Sequence, residues 1–193
     1  MRNVGVFVLA AAIAVTLSGC GTEDTPAATT ASPTSTTSTF VDRTGEVPTD
    51  AGPKSGAASP GAALTVTDIR IVREQGFDRV VYTLGGSGTP GWQVGYTDRA
   101  VQDGSGRSVE VAGESILEVR ILGSAYPFDS VVPPYAGPDP VTDPAAPGIT
   151  GVYKSLVYEG VTQSFIGVGA ARPPFAVTAL ADPPRVVVDI AVQ

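Results

Sequence analysis

The chain reads as an all-β protein, a β-sandwich of about nine strands, and three observations predict this. Its last stretch, Phe175–Val192, alternates with period two on both sides of Ala181-Asp182-Pro183-Pro184. The 23 glycines and 17 prolines break the chain at intervals suited to short strands and turns. No stretch carries a convincing 3.6-residue apolar period.

Residues 1–19 have the form of an export signal. Arg2 gives a positive start and Val4–Thr16 is an apolar run. The run is short of the about 20 residues a membrane span needs, and suits the h-region of a signal peptide. Leu17-Ser18-Gly19-Cys20 follows and resembles the lipobox of bacterial lipoproteins. The resemblance implies that the Cys20 thiol takes a diacylglycerol, that cleavage leaves Cys20 first, and that acyl chains such as palmitate hold the protein on the extracytoplasmic face of the membrane. The alternative is a plain signal peptide of a secreted protein with an incidental cysteine. Cys20 is the single cysteine, so a lipidated chain has no disulfide and its core must carry stability unaided. Cleavage removes Arg2 and no acid, moving the formal charge from −7 to −8.

Residues 20–63 are dominated by Thr, Ser, Pro, Ala and Gly, with Phe40, Val41 and Val47 the only large apolar side chains after the lipobox. Such a segment buries too little to offset its ordering entropy and reads as a flexible linker. Its Thr-rich part, Thr25–Thr39, is open to O-glycosylation or simply bare.

The folded domain is expected over residues 64–193. Leu64–Arg73 and Asp78–Leu84 are strand-like, with a change of parity that calls for a bulge near Thr67–Asp68. The run Gly85-Gly86-Ser87-Gly88 invites a phosphate-loop reading, which fails because no Gly-Lys-Ser/Thr follows. Trp92–Tyr96, Arg107–Ala112 and Ile116–Leu122 look like further strands. Gly123–Gly148 holds seven prolines and no periodicity, the mark of a functional or disordered connection. Its Asp139 and Asp143 lack the alternation of a calcium loop. Thr150–Tyr158 and Val161–Val168 flank a tight turn at Glu159-Gly160, and the closing hairpin completes the count.

Composition narrows the chemistry. A formal charge of −7 argues against nucleic acid as a partner. There is no histidine, which removes Ser-His-Asp and Cys-His catalysis and the usual zinc sites. Lysine occurs only as Lys54 and Lys154, and no carboxylate pair stands out as a glycosidase site. The expectation is a monomeric, non-enzymatic protein without cofactor or metal.

Asp78-Arg79-Val80-Val81-Tyr82-Thr83-Leu84 and Pro184-Arg185-Val186-Val187-Val188-Asp189-Ile190 share a pattern of Arg followed by an apolar strand. With Trp92-Gln93-Val94, Phe175-Ala176-Val177 and Tyr158-Glu159-Gly160-Val161-Thr162, they make Leu64–Val192 resemble the AMIN-like domain of actinobacterial lipoproteins, related to the AMIN domain of cell-wall amidases. The resemblance implies a non-catalytic β-sandwich that binds peptidoglycan or a wall-associated protein. Two alternatives stay open: a carrier lipoprotein with an apolar cavity for a lipid or small molecule, and a scaffold for an envelope complex. The ligand-binding candidates are Arg79, Arg185 and Asp189 on outward strand faces, where a guanidinium can fork onto wall carboxylates. Trp92 and Tyr96 join them if their rings are open to sugar; sharing a face with Val94, they otherwise belong to the core.

Overall fold

Alternation over the last residues becomes β9 (Pro184–Ala191), whose Val186, Val188 and Ile190 are no more than 1% exposed. The computed structural model describes residues 45–192; the expected signal peptide, Cys20 and the Thr-rich stretch lie outside the described residues. β9 is a central strand. It pairs with β8 (Phe175–Ala181) on one side and β3 (Phe77–Ser87) on the other, and β3 pairs with β2 (Ala63–Glu74). The order β2-β3-β9-β8 makes one four-stranded antiparallel sheet. The other sheet has five strands: β1 (Lys54–Gly56), β4 (Gly91–Thr97), β5 (Ser115–Leu122), β7 (Val161–Val168) and β6 (Ile149–Tyr158), in that spatial order. The protein is an all-β sandwich.

Inward rows from both sheets form one core. Val80, Tyr82 and Leu84 of β3 and the β9 row meet Leu117, Val119 and Ile121 of β5 and Ile166 and Val168 of β7. Tyr82 crosses the core to share a 3.0 Å hydrogen bond with the Ser164 hydroxyl, and burial pushes its pKa above the ordinary value. The register of β2 on β3 shifts between Val66 and Asp68, where a bulge was expected. Glu159 and Gly160 both take positive φ, 48° and 75°, in a tight turn between β6 and β7.

Three expectations need correction. The linker was expected to run to Ala63, yet Lys54–Gly56 pairs with Val94, Gln93 and Trp92 as an edge strand. These residues have little strand character of their own; the unpaired backbone of the β4 edge recruits them. Residues 107–112 form no strand. Beyond a single bridge between Val101 and Ser108, the segment runs over the outside of the five-stranded sheet. There Ala112 N–H donates to the Tyr153 hydroxyl at 3.0 Å, and Gln163 of β7 accepts from Asp103 N–H and donates to Val101 C=O. Phe165, outward on β7 between these ties, is 1% exposed.

The third correction concerns Gly123–Gly148, which is a built part of the domain. It lies along the edge of β2, with Leu64 N–H on Gly123 C=O, Ala125 N–H on Leu64 C=O and Tyr135 N–H on Val66 C=O. Tyr135 and Ala146 enter the core. At its far end Gly148 N–H donates at 2.8 Å to Asp78, a fully buried carboxylate that also pairs with Arg73. Prolines here cannot donate to a ladder, so the loop seals the sandwich with a few chosen bonds and two plugs.

Candidate functional site

Arg79 and Asp189 stand opposite each other in the β3–β9 register, on the outward face of the four-stranded sheet. Arg79 Nε donates to Asp189 Oδ1 at 2.6 Å and Nη2 to Oδ2 at 3.0 Å, a two-point fork. Their side chains are only 14% and 11% exposed. The cover comes from the N-terminal segment. A Cβ on Gly45 would lie 3.1 Å from Arg79 Nη2 and from Asp189 Oδ2, and 3.3 Å from the Phe77 ring, so the chain lies flat here. Phe77, also outward, is 2% exposed beneath it. Arg185 lies two rows away, half-buried between Thr83 and Leu180. Asp189 is thus forked by Arg79 across the strands.

Trp92 and Tyr96 belong to the other sheet and pack against the core. A Cβ on Gly56 would sit 2.3 Å from the Trp92 ring, so the indole lies over β1 where only glycine fits. Tyr96 donates at 2.6 Å to the Pro173 carbonyl and meets Phe175 edge-on, centroids 5.6 Å apart. Burial pushes its hydroxyl up to about 12. Both rings are half-buried and pack against the core. The five candidate residues therefore do not converge: three face outward on one sheet, two inward on the other.

Two concave regions stand out among the described residues. One is an open groove of about 400 Å³ over β1, β4 and β5, lined by Lys54, Gln93, Tyr96, Glu118 and Arg120 among others. Its cations are engaged: Lys54 with Asp50 at 2.7 Å, Arg120 with Asp103 at 2.7 Å and Glu118 at 3.3 Å. The Lys54 ammonium and the Gly52 N–H hold the Asp50 carboxyl below its ordinary pKa.

The other is an apolar cleft of about 170 Å³ where the proline-rich loop meets β6. Ile69, Pro127, Pro134, Tyr135 and Leu156 wall it, and Tyr82 and Ser164 also line it. Beside it Phe128 is 81% exposed and stacks on Tyr126, centroids 5.1 Å apart and planes 10° from parallel. Tyr126 is fixed in turn, because its hydroxyl accepts the Glu159 N–H at 2.9 Å. Leu156 is 67% exposed, Val131 fully and Tyr158 43%. This end went unread in the sequence. The available signal was Phe128 inside a run of prolines, where no strand could bury it.

The cleft is smaller than the roughly 300–1,000 Å³ typical of small-molecule sites, which weighs against a carrier. Among the described residues no group of His, Cys, Asp and Glu is placed to hold a metal ion. A two-sheet antiparallel sandwich with an exposed aromatic end defines a class of β-sandwich module. The chain belongs to the AMIN-like domain family, whose family model matches residues 64–192, about two thirds of its length. Membership suggests a cell-wall-associated, peptidoglycan-related module of a typically non-catalytic kind. Comparison with curated proteins and with solved structures returned no match.

Proposed function

We propose that the protein is a non-catalytic envelope module, held by a lipid on Cys20 at the outer side of the bacterial cell membrane, that binds peptidoglycan through its Phe128 end. One observation carries the choice of surface: Phe128 presents an open ring face, 81% exposed, on a second ring that is itself hydrogen-bonded in place. Flat aromatic faces receive the apolar faces of sugar rings, and a preset stack loses little entropy on binding. The Arg79–Asp189 fork suits this role less, because a wall carboxylate would have to displace a satisfied partner.

Co-sedimentation with purified sacculi tests the binding. The protein should pellet with sacculi, and Phe128→Ala should lose most of that binding while its circular dichroism is unchanged. Equal pelleting of both proteins would overturn the site, and no pelleting of either would overturn the ligand. The anchor is tested separately. Cys20→Ala should leave the membrane fraction or remain uncleaved, with loss of a lipid-sized mass, and unchanged fractionation and mass would end that reading.

A further inference from the structure

We propose that β8 is a docking edge for a second copy of this chain, and that two copies pair there antiparallel, joining their four-stranded sheets into one. This departs from the monomer expected of the sequence. β8 ends the order β2-β3-β9-β8, so one side of its backbone faces away from the sheet. The pairing fixes which groups do so. Phe175 stands opposite Ile190, and Ala191 N–H donates to Pro174 C=O at 2.9 Å, so the ladder bonds flank this pair. Phe175 N–H therefore points outward, where it donates to Asp50 C=O at 3.0 Å. Every second residue repeats that orientation, so Val177, Ala179 and Ala181 turn N–H and C=O to the free side. Among the described residues no other backbone group bonds to them there.

The other edges carry stops. The proline-rich loop bonds to Leu64 and Val66 along β2, and Val141 exchanges both backbone bonds with Val152 on β6. β1 is only three residues long and follows Pro53. β8 has no proline, charge or bulge, the devices that usually blunt an edge.

The occupant follows from where the edge is open. Asp50 fills it at Phe175, which leaves residues 177–181, centred on Ala179. A two-fold axis at Ala179 sets that residue against itself and Val177 against Ala181 of the second copy, each pair exchanging two backbone bonds. A strand paired with itself opposes its own charges, and like charges face to face are destabilising. Residues 177–181 read Val-Thr-Ala-Leu-Ala and hold none. On the outer face the same register sets Leu180 beside Thr178 of the second copy. On the inner face it sets Ala181 of the second copy beside the half-buried Val177. β8 contributes nothing to the cleft beside Phe128, so pairing and wall binding are separable.

The test uses the full-length chain with Cys20→Ala, so that no lipid brings copies together. Amide hydrogen exchange at Val177 and Ala179 should be about tenfold slower at roughly 1 mM protein than at about 10 µM, because pairing follows mass action. Fast exchange at both concentrations overturns the proposal. So does slow exchange at both with a monomer mass by sedimentation, which would assign the edge to the chain's own N-terminal segment. Ala179→Pro removes an N–H that makes no bond to β9, so its circular dichroism should be unchanged while the dimer mass is lost. A folded Ala179→Pro variant that still dimerises places the contact elsewhere and overturns the assignment. The exchange comparison needs no substitution in β8 and decides the matter if that variant fails to fold.

Discussion

Arg79 and Asp189 are charged residues on an outward sheet face, and they expose 14% and 11% of their side chains, whereas the aromatic Phe128 exposes 81%. The two regions invert the usual expectation, and the reason is cover. The four-stranded sheet is overlain by residues that read as linker, so its polar face became an interior with a satisfied ion pair and a buried Phe77. The loop end is overlain by nothing among the described residues, and its rings stand in water. Exposure follows from which segment passes over a surface, and residue type alone does not give it.

The strongest way to break the comparison is to remove the cover. A chain beginning at the family boundary, residue 64, lacks β1 and the segment over Phe77 and Trp92. Re-exposing two aromatic side chains and loosening an ion pair should cost about 3–5 kcal/mol. Urea denaturation against the longer chain measures this, and equal midpoints would show that the linker only rests on the sheet.

Next in size is Asp189→Ala, which leaves the Arg79 guanidinium without its fork. The expected loss is about 2–3 kcal/mol, below the range for fully buried pairs because some solvent reaches this one. An Arg79→Met/Asp189→Leu double variant should recover much of that loss, since an apolar pair of similar volume suits a covered face. If Asp189→Ala is instead neutral, the fork is open to solvent and free to receive a ligand.

Alkaline titration sharpens the contrast between interior and open end. Tyr82 and Tyr96 are raised by burial, so the folded state holds their protons more tightly than the unfolded chain. Their contribution is complete below the ordinary tyrosine pKa of 10.0 and is lost as pH climbs from there through the folded values, about 12 for Tyr96. Stability should therefore fall above pH 10. Tyr158 is raised first by the charge of Glu159, so concentrated salt should return it toward its ordinary value and leave Tyr82 unmoved. Ultraviolet titration of wild type and Tyr158→Phe at two salt concentrations separates the cases.

The smallest change in stability is expected from Phe128→Ala. Removing an exposed ring should alter stability by less than about 0.5 kcal/mol while weakening sacculus binding roughly tenfold. A large loss of stability would show that the stack with Tyr126 holds the loop shut.

Local rules carried the reading far where a strand makes its own case. Val186, Val188 and Ile190, the bulge after Val66 and the Glu159-Gly160 turn are set by neighbours in sequence, and all were legible. Lys54–Gly56 was not, because its pairing is imposed by the β4 edge. Arg107–Ala112 misled for the opposite reason: it alternates like a strand, yet in the fold it lies across the outer side of the five-stranded sheet. Arg79 and Asp189 were singled out individually, and only the β3–β9 register shows that they answer each other. Phe128 was missed because its place in a run of prolines shows only that no strand buries it, and its exposure depends on the path of the proline-rich loop.

The N-terminal segment also has a mechanical side. It touches the four-stranded sheet at Gly45, is bonded to β8 through Asp50 and ends as a strand of the other sheet at Lys54–Gly56. Tension applied at residue 45 would meet these attachments in series, and each must yield before the next is loaded. The two sheets would be drawn on through separate grips, as by a clasp fastened at several points. A domain built this way would resist a steady pull along its own leader by more than its edge strand alone could bear.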